Sequence, residues 1–275
     1  MKEEKSKIGI FDSGVGGLSV LKQFIKYLPF ESYIYLGDTA RVPYGNKSSE
    51  TIKKYAKECT EFLLSKNVKL IVVACHTVSS VALEEVEKVS AVPVVGMIRP
   101  ATKSALIASR NKRIGVIGTR ATIASNAYQD YITQNSYNSE LRVFAKPCPL
   151  FVPLVEEGFI NHSATKLVAN EYLSDFLEMN IDTLILGCTH YPLLTKVIKE
   201  ILPDVELIDA GEQAAIFSLR LLAENKLLQE EKDNFLPSPN VEFYLTDMPM
   251  NFKEIAKTFL GFEVDKIEIV NLSGK

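Results

Sequence analysis

Short apolar runs alternate along the chain with longer segments whose apolar residues recur at helical spacing. Near-continuous apolar runs are typical of strands that are buried on both faces of a parallel sheet. We predict such strands at residues 7–11, 33–37, 69–74, 92–97, 113–118, 141–145, 183–187 and 205–209. Intervening segments such as 49–66 and 164–179 have the spacing of amphipathic helices. The alternation predicts βαβ units and an α/β fold.

Two stretches of the pattern occur twice. The strand that leads to Ser13 (IGIFDSG) resembles the strand that leads to Thr119 (IGVIGTR). The strand before Cys75 (VVACHT) resembles the strand before Cys188 (ILGCTH). Similar landmarks at similar separations predict two related α/β halves.

The last part of the chain contains two further strand-like segments, 241–247 and 264–270, on either side of a helical pattern. We expect them to return to the sheet of the first half. The predicted first domain is therefore discontinuous, comprising residues 1–97 and 208–275, and the second domain comprises residues 98–207.

Polar clusters follow several of the predicted strands. Ligands of open parallel sheets bind outside the carboxyl ends of the strands, which is where Cys75 and Cys188 lie. A thiol just before a helix lies near the positive end of the helix dipole, so we expect a lowered pKa for both thiols. Two thiols that face a common cleft suit a reaction in which a carbon acid loses a proton on one face and regains one on the other. Asp12 and His190 lie in comparable clusters, from which they could tune the thiols or relay protons.

Composition restricts the class of protein. The formal net charge of −3 and the pI near 5.8 argue against a general attraction to nucleic acid or to anionic membranes. No apolar stretch approaches the roughly 18 residues of a membrane-spanning helix. Four cysteines in 275 residues do not form a disulfide framework, so we expect reduced thiols in a cytoplasmic protein.

Six motifs in order resemble those of the bacterial glutamate racemases, which belong to the aspartate/glutamate racemase family and supply D-glutamate for peptidoglycan synthesis. They are FDSGVGGLSVL, YLGDTARVPYG, VVAC-T, GVIGT-AT, PLFVPLVEEG and LGCTHYPLL. The resemblance implies two Rossmann-like domains with mainly parallel sheets, related by a pseudo-two-fold, with the active site in the cleft between them. It also implies a cofactor-independent, two-base racemisation of L- and D-glutamate.

The resemblance further implies roles for individual residues. Cys75 and Cys188 would be the two bases, assisted by Asp12, Glu156 and His190. Substrate contacts would come from Asp12, Ser13, Tyr44, Gly45, His76, Thr77, Thr189 and His190. The implied partner is the small molecule glutamate, without metal, nucleic acid or membrane, and a homodimer is compatible with the sequence.

One position departs from the family pattern, because His76 stands where the family normally has Asn. A neutral imidazole offers one donor and one acceptor on a larger ring than an amide. His76 therefore puts turnover rate and substrate preference in doubt. Two alternatives stay open: an aspartate racemase or one of broader specificity, and a weakly active binding protein built on a racemase fold.

Other interpretations of the motifs have less support. The cysteines and histidines lack the paired C-x2-4-C and H-x3-5-H spacings of strong zinc sites. The segment GVGGLS lacks the Gly-Lys-Ser/Thr of a phosphate-binding loop, and Ser19 replaces the last glycine of the dinucleotide fingerprint. We expect Asp38 and Arg41 to form an ordinary surface ion pair.

The remaining polar candidates are expected to be structural. Cys59 and Cys148 are predicted to be packing residues, and His162 is predicted to lie near a helix start on the surface.

Overall fold

The computed structural model describes residues 6–136, 140–229 and 239–272. In this part of the chain the strands form a six-stranded sheet and a four-stranded sheet, and neighbouring strands are parallel. The strands are β1 (Lys7–Asp12), β2 (Ser32–Gly37), β3 (Val68–Val73), β4 (Val94–Gly96), β5 (Arg113–Gly118), β6 (Arg142–Pro147), β7 (Thr183–Gly187), β8 (Glu206–Asp209), β9 (Asn240–Leu245) and β10 (Ile267–Ile269).

Helices follow most of the strands. They are α1 (Leu18–Tyr27), α2 (Ser49–Ser65), α3 (His76–Val81), α4 (Leu83–Val89), α5 (Ile98–Ala108), α6 (Arg120–Ala124), α7 (Ala127–Gln134), α8 (Phe151–Glu156), α9 (Ser163–Leu173), α10 (Asp175–Glu178), α11 (Thr195–Ile201), α12 (Ala210–Glu224) and α13 (Phe252–Leu260). Short 3-10 helices cover Thr39–Arg41, Tyr44–Asn46 and Tyr191–Leu194.

The predicted α/β class is confirmed, and each of the eight strands predicted before residue 210 is present with ends that shift by no more than two residues. The helix predicted at 164–179 is instead two helices, α9 and α10. The interruption lies at Ser174, whose carbonyl accepts from the Leu177 N–H at 3.0 Å. The hydrogen bond there spans three residues, as in a 3-10 helix, instead of the four residues of an α-helix.

The two sheets share a strand order. The larger sheet contains the order β2-β1-β3-β4 and the smaller sheet has the order β6-β5-β7-β8. Strand β1 is therefore equivalent to β5, and β3 to β7, which confirms the two related halves. Because all these strands are parallel, the residues after β1 and β3 lie at one edge of the first sheet, and those after β5 and β7 lie at the equivalent edge of the second.

The late strands extend the larger sheet. Strand β9 pairs with β2, and β10 pairs with β9, with α13 between them in the chain. The residue bounds of the two domains stay a prediction.

Apolar packing joins the halves. One buried cluster includes Val72 of the larger sheet and Ile185 of the smaller sheet, while a second cluster covers the other face of the larger sheet with Phe11, Ile71 and Cys59. A core that continues from one sheet to the other holds the two sets of strand ends in a defined relation.

Candidate active site

The predicted site residues line one cavity of about 420 Å³ between the two sets of strand ends. They are Asp12, Ser13, Tyr44, Gly45, Cys75, His76, Thr77, Glu156, Cys188, Thr189 and His190. The first half contributes the residues at and after the ends of β1, β2 and β3, and the second half contributes those after β7 and Glu156 at the end of α8. The chemical roles of these residues stay predictions, but their convergence on one space is a property of the fold.

Cys75 is the N-cap residue of α3 and is almost fully buried, at 5% exposure. Its S–H donates to the Ser13 hydroxyl, with 3.3 Å between sulfur and oxygen. Burial, together with the nearby Asp12 carboxylate, raises the pKa of the Cys75 thiol to about 12. The expectation that a helix start lowers this pKa is wrong, because α3 has only six residues and burial of the charged form dominates. With this pKa, Cys75 keeps its proton near neutral pH.

Cys188 has a different neighbourhood. The Nδ1 atom of His190 lies 3.8 Å from the Cys188 sulfur, and Nε2 lies 2.8 Å from the Glu156 carboxylate. Burial disfavours the charged imidazole, but hydrogen bonding to Cys188 and Glu156 outweighs it and raises the pKa of His190 to about 10. His190 is therefore protonated near neutral pH, and its positive charge stabilises negative charge on the Cys188 sulfur.

Asp12 ends β1 and is 2% exposed. The Gly14 N–H donates to its Oδ2 atom at 2.9 Å, while Oδ1 has no hydrogen-bond partner among the described residues. Burial raises the pKa of this carboxyl, although His190 acts against the shift. Asp12 thus lines the cavity with a carboxyl group whose unpartnered Oδ1 atom is itself buried.

The turn after β1 fits closely against the residues after β7. A Cβ atom on Gly16 would lie 2.2 Å from Thr189 Oγ1 and 2.4 Å from His190 Cε1, so only glycine fits there. Ser19 adds a hydrogen bond across the same boundary, from its hydroxyl to the Thr189 carbonyl at 2.6 Å. This contact fixes the position of the segment Cys188–His190 relative to the first sheet.

The hydroxyl groups of Thr77, Thr119 and Thr122 form a second contact between the two halves. The Thr77 hydroxyl lies 3.1 Å from that of Thr119 and 3.4 Å from that of Thr122. Thr119 also caps α6 by accepting from the Thr122 N–H at 3.2 Å.

Sequence reasoning missed part of the cavity lining. The missed residues are Gly14, Val15, Val42, Pro43, Asn46, Thr119, Arg120, Pro149, Val152 and Pro153. A signal for Thr119 was present, because the repeat sets it opposite Ser13. The apolar and proline residues carry no chemical signature in sequence.

His76 lines the cavity, and its imidazole lies over the Tyr128 ring, with 6.3 Å between centroids and 27° between planes. Neither of its ring nitrogens has a hydrogen bond of normal geometry within the described part of the chain. Burial, together with the charge of His190, lowers the pKa of His76 to about 3, while the Leu186 backbone acts in the opposite direction. His76 is a neutral ring at a cavity wall.

The predicted surface ion pair of Asp38 and Arg41 is wrong in its location. Asp38 is fully buried, and its carboxylate accepts from Arg41 Nε at 2.9 and 2.7 Å and from the Tyr44 hydroxyl. The alternation of polar residues in GDTARVPYG looks like a surface segment, but strand β9 returns from far along the chain and covers it.

The structural predictions for the other thiols and for His162 are confirmed. Cys59 and Cys148 are buried, and the exposed His162 caps α9 by accepting from the Ala164 N–H at 3.1 Å. Within the described ranges, no three His, Cys, Asp or Glu side chains are grouped so as to hold a metal ion. None of the helices described has both the length and the apolar character to cross a membrane.

A family model described as Asp/Glu/Hydantoin racemase matches residues 8–216. The chain belongs to this racemase family. It is 49% identical over 269 residues to a glutamate racemase of Chlorobaculum tepidum, and the match covers 97% of each chain.

Solved structures of racemases share the fold. A glutamate racemase of Francisella tularensis, crystallised in complex with D-glutamate, superposes with a TM-score of 0.89 at 44% identity, covering 98% of this chain and 99% of that one. A glutamate racemase isoform of Bacillus anthracis gives a TM-score of 0.92 at 35% identity, covering 99% and 100%. The two-domain architecture implied by the motifs is therefore confirmed.

Proposed function

We propose that this chain is a glutamate racemase that interconverts L- and D-glutamate by proton transfer at Cα, with Cys75 and Cys188 as the two bases. The observation that carries the proposal is the placement of these two thiols. They follow equivalent strands, β3 and β7, of two sheets with the same order, and they line one cavity. Approach from two halves suits attack on two faces of one carbon.

The two thiols have unequal surroundings, which suits one turnover. Cys188 lies beside a protonated His190, while Cys75 retains its proton. In the direction that starts with Cys188 as base, its thiolate takes the Cα proton and the C–H electron pair stays on the substrate as a carbanion. The Cys75 S–H then supplies a proton to the opposite face, and its electron pair stays on sulfur. The reverse direction exchanges the roles, so no other reactant is consumed.

The carbanion needs stabilisation, which is expected to be the largest electrostatic contribution in a closed site. Asp12 contributes a carboxyl group to the cavity lining that suits the substrate ammonium group. Hydroxyl and backbone donors of Ser13, Thr77 and Thr189 line the cavity and suit a carboxylate. Tyr44, Gly45 and His76 would complete the substrate contacts.

Glu156 and His190 are proposed to assist Cys188. The carboxylate accepts from Nε2 and leaves Nδ1 directed at sulfur. Asp12 raises the pKa of Cys75 and is proposed to assist transfer on that side.

The glutamate racemases of Chlorobaculum tepidum and Francisella tularensis support glutamate as the substrate. Supply of D-glutamate for peptidoglycan follows from that activity. A cytoplasmic location, supported by four free thiols, and a homodimer are further parts of the proposal.

The test is to incubate the purified protein with L-glutamate in D2O without added cofactor, and to follow optical rotation and deuterium at Cα. We expect the rotation to fall to zero as deuterium enters. No incorporation by folded protein would overturn the proposal. Aspartate enantiomers run in parallel decide the substrate, because faster exchange on aspartate would indicate an aspartate racemase.

Single variants test the two bases. Cys75→Ser and Cys188→Ser are each expected to lower the rate at least about 10³-fold, because a hydroxyl is a far weaker base than a thiolate. Cys59→Ala is the control for loss of a buried thiol, since Cys59 lies in α2 and does not itself line the cavity. Its thiol contacts Tyr44, so we expect a rate close to that of the wild type and far above the rates of the serine variants. Near-normal racemisation by either serine variant would contradict the two-thiol mechanism.

A further inference from the structure

Residues 42–46 form one wall of the cavity and carry two of the proposed substrate contacts, Tyr44 and Gly45. Tyr44 is 2% exposed, and its hydroxyl donates to the Asp38 carboxylate. Gly45 faces the second half of the molecule, since a Cβ atom there would lie 3.5 Å from the Thr119 side chain. The position of this wall therefore depends on what holds Asp38.

Asp38 is held by side chains from three directions. Besides Tyr44 and Arg41, the Thr246 hydroxyl donates to its Oδ1 atom at 2.9 Å. Arg41 is in turn held by an ion pair with Glu58 and by the Tyr55 ring, whose centroid lies 3.9 Å from its guanidinium carbon.

Thr246 follows β9 and contacts the segment at two points. Its hydroxyl oxygen also accepts from the Ala40 N–H at 2.9 Å, so one side chain links Asp38 to the backbone two residues further on. The next residue adds a second link, because the Asp247 N–H donates to the Thr39 hydroxyl at 2.9 Å and the Asp247 carbonyl accepts from it. These residues lie outside the range 8–216 that the family model matches.

We infer that Thr246 is a positioning residue, which acts through Asp38 to hold Tyr44 and the cavity wall at 42–46 in the geometry that binds substrate. The inference rests on the proposed function for its effect on catalysis. The end of β9 thereby controls the shape of the site, although β9 has no residue in the cavity lining. Two hydrogen bonds made by one hydroxyl group carry that control, one to the fully buried Asp38 carboxylate and one to the Ala40 backbone.

Hydrogen exchange tests the structural part without depending on activity. Thr246→Val keeps the shape of the side chain but removes the hydroxyl, whereas Thr246→Ser keeps the hydroxyl. Loss of one hydrogen bond to a buried carboxylate changes a local opening equilibrium by about tenfold, so amide exchange in a peptide covering residues 42–48 should accelerate about tenfold in Thr246→Val. Thr246→Ser should exchange like the wild type. If Thr246→Val fails to fold, Thr246→Ala repeats the test.

Kinetics then test the functional part. We expect kcat/KM for glutamate to fall about tenfold in Thr246→Val, mainly through KM, and to be retained in Thr246→Ser. Unchanged exchange in Thr246→Val overturns the inference, as does faster exchange with an unchanged kcat/KM. Equal impairment of the valine and serine variants also overturns it. A wild-type protein that does not racemise glutamate refutes the proposed function instead, and the exchange experiment still decides whether Thr246 holds the wall.

Discussion

The Nδ1 atom of His190 lies 3.8 Å from the sulfur of Cys188, whereas the sulfur of Cys75 faces a neutral hydroxyl. Two thiols at equivalent positions of a repeated fold therefore have unequal electrostatic surroundings. Under the proposed mechanism this inequality suits one base and one acid at the start of a turnover, although the strand order is shared.

His190→Asn is predicted to lower kcat/KM by about 10²–10⁴-fold, because the positive charge beside Cys188 is lost. Enantiomers have equal free energies, so the decrease must be the same in both directions. Glu156→Gln keeps an acceptor oxygen for Nε2 and should cost less. Racemisation rates of both variants provide the measurement, and an active His190→Asn would contradict the assigned role.

The raised pKa of His190 predicts that the free energy of unfolding falls at alkaline pH. The folded pKa of His190, about 10, lies above the unfolded value near 6.5, so its contribution is present below pH 6.5 and is lost as pH rises toward 10. Urea unfolding across this range should show the wild type losing more stability than His190→Asn. Parallel pH dependence of the two proteins would contradict the pairing.

Gly16→Ala is predicted to abolish most activity, since its Cβ atom would lie 2.2 Å from Thr189 Oγ1 and 2.4 Å from His190 Cε1. Overpacking of this kind costs about 1–3 kcal/mol of stability. Gly261→Ala is the matched control. Gly261 has a positive φ of 87° at the end of α13, so an alanine there would be strained, and Gly261 does not line the cavity. It should lose stability but retain activity. Comparable activity loss in both variants would indicate general destabilisation.

The lowered pKa of His76 predicts that the free energy of unfolding falls at acid pH. Its folded pKa of about 3 lies below the unfolded value near 6.5, so the unfolded state binds more protons between these values and stability falls as pH decreases from about 6.5 to 3. His76→Asn should flatten this dependence by up to about 1.4 kcal/mol per pH unit. Urea unfolding at several pH values measures it, and identical slopes would count against a buried neutral ring. A large gain in turnover in His76→Asn would favour the alternative of a binding protein on a racemase fold, whose catalysis His76 impairs.

The strands and the two halves were predictable from sequence because buried parallel strands leave long apolar runs. The convergence of Cys75 and Cys188 followed from the repeat together with the rule that ligands bind at strand ends. The protonation of Cys75 was not predictable, since it depends on burial that only the packed halves create. The cluster around Asp38 was missed for a similar reason, because Thr246 approaches it from a strand about 200 positions away in the chain.

The central claim is that two different sulfur atoms act on opposite faces of one carbon. The most direct measurement is the distribution of deuterium at Cα early in the reaction of L-glutamate in D2O. Two bases predict that newly formed D-glutamate carries solvent deuterium while the recovered L-glutamate still carries hydrogen. Deuterium appearing equally in recovered L-glutamate, or D-glutamate that retains the original hydrogen, would indicate a single base and contradict the account.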